Sequence, residues 1–175
     1  CGEGPDVGPT LIDNVDYVMF TGSTNTGRTI GESAGRNLID CCLELGGKNP
    51  MIVLDDANID EAVAGTLFAS FGNTGQICMH IERIYVHDSL YDEFKEKFVA
   101  ATRELKLAAT YDFDADIGGL VSPDHLARVE SHVEDAVAKG ATVLAGGKAR
   151  PDLGPTFFEP TILEGTTNDM ICGTI

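Results

Sequence analysis

Short apolar runs alternate with amphipathic stretches along most of this chain. Tyr17-Val18-Met19-Phe20 is an uninterrupted apolar run and predicts a buried strand. It leads into Thr21-Gly22-Ser23-Thr24-Asn25-Thr26-Gly27. Ile30, Ala34 and Leu38 then recur every four residues, which predicts one face of a helix. Cys42-Leu43-Glu44-Leu45 and Met51-Ile52-Val53-Leu54 predict two further strands, separated by the turn-forming Gly46-Gly47-Lys48-Asn49-Pro50. Asn58, with Glu61 three residues on, predicts a helix start. Ile59, Ala62, Val63, Thr66, Leu67, Ser70 and Phe71 follow on one helical face. Arg83-Ile84-Tyr85-Val86 reads as a strand. Asp88 is placed to cap the next helix, whose face carries Tyr91, Phe94, Phe98, Ala101 and Leu105. Ser122-Pro123 opens a helix with Leu126, Val129, Val133 and Ala136 on its face, and Gly140 closes it. Ala141 to Ala145 predicts a last strand, with Phe157-Phe158 and Pro160 to Leu163 as edge structure. Cys1 to Asn14 lacks periodicity and reads as a loop. Alternating strands and helices of this kind predict an α/β fold with a parallel sheet.

Composition narrows the function classes. The 175 residues are 43% hydrophobic and 23% charged, which is a globular balance. A net charge of −16 opposes binding to nucleic acid or an anionic membrane, because phosphates repel it. No apolar run has the length of a bilayer span. The 5 cysteines, an odd number in a chain this long, do not form a disulfide framework and point to a reducing, cytoplasmic compartment.

Three places carry candidate chemistry. Gly22 to Thr29 joins a strand to a helix and approaches a phosphate-binding P-loop, with Met51 to Asp56 resembling the acid-tipped strand that holds Mg²⁺. Arg28 stands where that loop needs Lys, and the planar guanidinium does not replace the compact ammonium. The alternatives at this turn are a nucleotide site of another kind and a purely structural turn. Glu44 ends an apolar run before two glycines. Partial desolvation there would raise a carboxyl toward the range of a general base, while a solvated strand end is the plainer reading. Gly46 and Gly47 would let a flat ring approach the backbone. Cys78 lies at an irregular junction in Asn73-Thr74-Gly75-Gln76-Ile77-Cys78, where a thiol can be exposed and activated. A buried small hydrophobe is the alternative. His80 shares a strand face with Cys78, a weak sign of a base. Metal sites are not expected. Asp112, Asp114 and Asp116 alternate as in a calcium loop, but Ile117 and Pro123 stand where its Gly and Glu belong. The histidines, with His125 and His132 read as surface residues, form no zinc spacing.

Together these strings resemble the aldehyde dehydrogenase superfamily. The matching pieces are Phe20-Thr21-Gly22-Ser23 with Gly27, Leu43-Glu44-Leu45-Gly46-Gly47-Lys48-Asn49-Pro50, and Gly75-Gln76-Ile77-Cys78 with Arg83. Gly146-Gly147 and Phe158-Glu159-Pro160-Thr161 continue the match. The resemblance implies a parallel-sheet catalytic domain with helices on both faces, preceded by the end of a Rossmann-like cofactor domain. It implies Cys78 as the nucleophile that forms a thiohemiacetal and then a thioester. Hydride passes to NAD or NADP, Glu44 activates the hydrolytic water, and the Cys78 N–H supports the oxyanion. Gly22, Ser23 and Gly27 would lie along the cofactor, with Leu45 and Gly46 beside its nicotinamide.

Family members are longer. The resemblance places a Pro-Trp-Asn segment upstream, and a Glu-x-Phe-Gly-Pro motif and an oligomerisation arm downstream. The chain therefore reads as the end of an NAD(P)-binding domain, residues 1–48, and a partial catalytic domain, residues 49–175. The fragment alone is expected to be inactive and its parent a homo-oligomer acting on a small aldehyde. Tyr111-Asp112-Phe113, Gly119 to Ser122 and Lys148 to Asp152 resemble bacterial succinate-semialdehyde dehydrogenases. The rival readings are a P-loop-like nucleotide triphosphatase and a non-catalytic interaction module.

Overall fold

Parallel strands cannot be joined by a tight turn and need a crossover, usually a helix. Two such units shape this chain. The computed structural model describes residues 1–111 and 114–173. Asp112 and Phe113 of the sequence strings above lie outside the described residues. The chain divides into two compact units, Cys1–Gly47 and Lys48–Ile175.

In the first unit, β1 (Tyr17–Gly22) and β2 (Asp40–Leu45) pair in parallel, and α2 (Thr24–Asn37) is the crossover. Ser23 caps α2, its Oγ accepting from the Thr26 N–H at 3.3 Å. Ala34 is buried and Ile30 half-buried, as the spacing predicts. Leu38 departs from that face. It is the C-cap, in the left-handed region at φ 55°, and is 93% exposed. The Ile39 N–H turns back to the Ala34 carbonyl at 3.1 Å and ends the helix. The apolar run of β1 is not buried on both faces: Val18 and Phe20 are half-buried, while Met19 is 75% exposed.

The opening stretch, expected to be a loop, contains α1 (Gly4–Ile12). Pro5 lies in the first turn, where a missing N–H costs nothing. Pro9 inside the helix hides the pattern, because proline normally breaks a helix there. Ile12 is buried, and polar bonds close the end: Asn14 Nδ2 donates to the Thr10 carbonyl, and Asn37 Nδ2 to Asp13 Oδ1, each at 2.8 Å.

In the second unit, β3 (Asn49–Val53) and β4 (Ile81–Val86) pair in parallel. The crossover contains α3 (Ile59–Phe71), and α4 (Tyr91–Arg103) follows β4. Asn58 caps α3 by accepting from the Asp60 and Glu61 N–H groups at 3.1 and 3.3 Å. Val53, Val63, Phe94 and Phe98 form the core, with Met51, Ile84 and Val86 packed against it. The rings of Phe94 and Phe98 stack at 5.6 Å, and Phe71 stacks on Phe98 at 6.1 Å. Buried Thr66 and Thr102 return their hydroxyls to the carbonyls of Ala62 and Phe98. Both helices thus cover the Met51–Val53 face. Ile52 and Tyr85, on the opposite face, are 68% and 53% exposed.

Asp88 does not cap α4. A 3₁₀ turn, Asp88–Leu90, leads into the helix, and the His87 side chain accepts from the Ser89 N–H. Further on, α5 (Pro123–Ala138) is capped by Ser122, whose Oγ accepts from the His125 N–H at 3.2 Å. The strands β5 (Thr142–Ala145) and β6 (Ile162–Glu164) pair antiparallel. Gly146 is obligatory after β5: its φ is 67°, and a Cβ there would lie 2.2 Å from the Pro160 oxygen. Phe157 and Phe158 are buried rather than at an edge. No helix among the described residues is long and apolar enough to cross a membrane.

His132 is not a simple surface residue. It is half-buried on α5. Burial lowers its imidazole pKa from the ordinary value, and Lys48 and Arg128 push the same way against Glu82 and Asp135. A histidine lowered in the folded state gives stability that is present above its unfolded value of about 6.5. That stability is lost as pH falls through the folded value. Thermal melts on the acid side should therefore show a fall in Tm that His132→Leu makes shallower. Phe98→Ala should destabilise the second unit by about 3–5 kcal/mol in urea titrations, because it removes a ring from two stacks.

Candidate active site

In the first unit the parallel register sets which candidate residues lie together. Thr21 pairs with Glu44 and Gly22 with Leu45, so the C-terminal ends of β1 and β2 lie side by side. Gly22, Ser23, Glu44, Leu45 and Gly46 therefore share one edge, the edge where open parallel sheets receive nucleotides. A Cβ built at Gly46 meets nothing within 4 Å, so the backbone there is open to a flat group. Gly27 lies behind the edge. It is buried, and a Cβ on it would come 2.5 Å from Leu45 Cδ2, so its bareness lets α2 sit close over Leu45. The residues present fit a dinucleotide: bare backbone at the strand ends and a helix N-terminus beside them.

This geometry does not fit a P-loop. Such a loop keeps several non-helical residues between strand and helix to surround a phosphate. Here Ser23 alone separates β1 from α2, and Thr24 to Arg28 are already helical. Glu44 is exposed, as the plainer reading of a solvated strand end has it, and the alternative of partial desolvation is not found; its Oε1 lies 4.0 Å from Cys42 Sγ.

The second unit holds Cys78, exposed on a turn between α3 and β4. The preceding residues are unusual. Asn73, Thr74 and Gly75 are all left-handed, with φ of 52°, 60° and 70°. Glycine enters that region freely and asparagine at a reduced cost, but a β-branched residue such as Thr74 pays about 1–2 kcal/mol there. Side-chain hydrogen bonds hold the turn. Gln76 Oε1 accepts from the Val121 N–H at 2.8 Å, and Thr74 Oγ1 donates to the Gly118 carbonyl at 3.3 Å. Asn49 Nδ2 donates to the carbonyls of both Cys78 and His80, at 2.8 and 2.9 Å.

His80 faces elsewhere than the thiol. Its Nδ1 donates to the Ile77 carbonyl at 2.6 Å, and its Nε2 lies 3.3 Å from Glu82 Oε1. Glu82 also pairs with Lys48, and Arg83 donates through Nε and Nη2 to the Lys48 carbonyl at 3.2 and 2.9 Å. Asn49, Gln76 and Arg83 are the residues whose roles the sequence did not reveal. Their partners lie 29 to 45 positions away, beyond any local pattern. No cluster among the described residues could hold a metal ion. Cys172 is half-buried, and burial raises its thiol pKa, so it lacks the exposure of Cys78.

Comparison with known proteins identifies the family. The model of the aldehyde dehydrogenase family matches residues 1–174. A Mycolicibacterium smegmatis protein with the provisional name succinate-semialdehyde dehydrogenase (NADP+) is 55% identical over 171 residues, 98% of this chain and 33% of that protein. Glutarate-semialdehyde dehydrogenase of Pseudomonas putida is 43% identical over 164 residues, 93% of this chain and 34% of that protein. The crystal structure of succinate-semialdehyde dehydrogenase from Burkholderia pseudomallei superposes with a TM-score of 0.93 at 39% identity, covering 98% of this chain and 36% of that one. The chain thus spans about a third of the length of the curated relatives it matches. With the family model spanning nearly the whole chain, a relative 55% identical over 171 residues and an α/β fold with parallel strand pairs, the chain belongs to the aldehyde dehydrogenase family.

Proposed function

We propose that this chain is part of an NAD(P)-dependent dehydrogenase that oxidises the semialdehyde of a short dicarboxylic acid, such as succinate semialdehyde. The names of the relatives support the substrate class, and the M. smegmatis relative supports NADP. Residues 1–48 then close a cofactor domain, and residues 49–175 form part of a catalytic domain. The observation that carries the reading is the setting of Cys78: an exposed thiol on a turn fixed by hydrogen bonds on both sides.

The chemistry follows from these residues. The Cys78 thiolate adds to the aldehyde carbon, and a C–S bond forms as the carbonyl oxygen becomes an oxyanion. The Cys78 peptide N–H donates to that oxygen. Gly22, Ser23, Leu45 and Gly46 would hold a nicotinamide cofactor, which would accept the hydride that leaves the thiohemiacetal carbon as its C=O re-forms and the adduct becomes a thioester. Gly27 serves the cofactor indirectly, by seating α2 on Leu45. Glu44 then takes a proton from water, the water oxygen adds to the thioester carbon, and the Cys78 thiolate leaves with the acid released. An exposed carboxylate is suited to this role in being free to meet water. The nucleotide triphosphatase reading loses its support with the single-residue connection at Ser23.

The test is rapid-mixing kinetics on the complete enzyme that contains this chain. Cys78→Ala should abolish NAD(P)H formation and leave cofactor binding intact. Glu44→Gln should keep a burst of NAD(P)H while steady-state turnover falls about 10²–10⁴-fold. Loss of cofactor binding in both variants, with no burst, contradicts the separate roles. Mg-ATP hydrolysis abolished by Arg28→Ala would restore the rival.

A further inference from the structure

We infer that Asn49 is a positioning residue for the nucleophile, fixing the peptide on which Cys78 is carried. The inference rests on the reading of Cys78 given above. Asn49 stands at the start of β3, opposite Ile81 at the start of β4, so parallel pairing brings it beside the turn. The register then slips: Asn49 matches Ile81, but Pro50 matches Arg83, leaving Glu82 as an extra residue in β4. Such bulges occur beside active sites, where they re-aim a side chain.

The slip has chemical consequences. Pro50 has no N–H to give to the ladder. The Asn49 amide group spans the gap instead, with both protons of Nδ2 used on carbonyls two residues apart, Cys78 and His80. That pair of bonds fixes two peptide planes, Cys78–Met79 and His80–Ile81. The extra residue Glu82 bonds Lys48 and His80, and Arg83 holds the Lys48 carbonyl. Asn49 is thus itself held, through its neighbour Lys48, by the strand that follows the nucleophile. A second set of bonds, from Gln76 and Thr74 to residues 118–121, holds the other side of the turn. An Asn amide is suited to this task because it offers two donors from one nitrogen on a short stem. Aspartate has the same shape with no donor, and serine has one donor.

A nucleophile whose backbone shifts by about an ångström can lose about a hundredfold in rate while its thiol remains intact. The measurement is pre-steady-state NAD(P)H formation by the complete enzyme carrying Asn49→Ala, Asn49→Asp or Asn49→Ser. Asn49→Ala and Asn49→Asp should slow the burst about tenfold or more, with burst amplitude per folded enzyme kept. Asn49→Ser, with one donor, should recover part of the rate. Alkylation of Cys78 by iodoacetamide, which needs no fixed approach, should change by less than about twofold in Asn49→Ala. An unchanged burst rate overturns the inference. So does a loss confined to burst amplitude, which marks a role in stability alone. If Cys78→Ala still gives a burst, the reading of Cys78 fails, and hydrogen exchange on the 175-residue chain decides the clamp separately. Protection of the His80 amide should then drop in Asn49→Ala while that of Val63 to Leu67 is kept; unchanged protection at His80 overturns the clamp.

Discussion

Parallel pairing of β3 with β4 is the constraint on which the second unit depends. Because the strands run the same way, their first residues meet at one end of the sheet, and the chain must return there after α3. The return leg holds Cys78. The same pairing in the first unit has the opposite use: the last residues of β1 and β2 meet, and the bare glycines and Glu44 collect at their exit. One topological rule thus gathers the Cys78 turn at strand starts and the glycine-bearing edge at strand ends. The register decides which side chains share each place, since a one-residue slip changes every neighbour.

Polar groups hold the Cys78 turn in a backbone that does not favour itself. Consecutive left-handed residues at Asn73 and Thr74 cannot persist on local preference, so the surrounding bonds must over-determine them. They come from Gln76, Thr74 and Asn49, which reach segments distant in sequence. The apolar core lies elsewhere, around Val53, Val63, Phe94 and Phe98. Division of labour follows: the core sets the layers and the side-chain amides set the turn.

The alternation of strands and helices was legible because each element carries its own periodicity. All the residues expected on the inner face of α3, from Ile59 to Phe71, are buried or half-buried, and Asn58 and Ser122 cap where their spacing says. Local pattern misled where a local rule met a contrary contact. Pro9 disguised α1, a left-handed C-cap turned Leu38 outward, and a 3₁₀ turn took the place of an Asp88 cap. Cys78 and Glu44 were singled out as candidate chemistry from their strings, and the resemblance joined them into one mechanism. Whether Glu44 is desolvated or solvated was not legible, because an apolar run does not say whether a covering layer is present. Asn49 and Gln76 were invisible as holders of the turn, since a bond across dozens of residues leaves no trace in spacing.

The uncovered sheet face bears on how this chain responds to denaturants. Ile52 and Tyr85 meet water already in the folded state, as does Met19 on β1. Unfolding therefore exposes less new apolar surface than 175 residues would ordinarily release. Both the heat-capacity increment and the steepness of a urea transition scale with that newly wetted area. The chain should accordingly melt over a broad range with a flat stability curve, with the shape of its transition reporting the bare face as directly as any contact does.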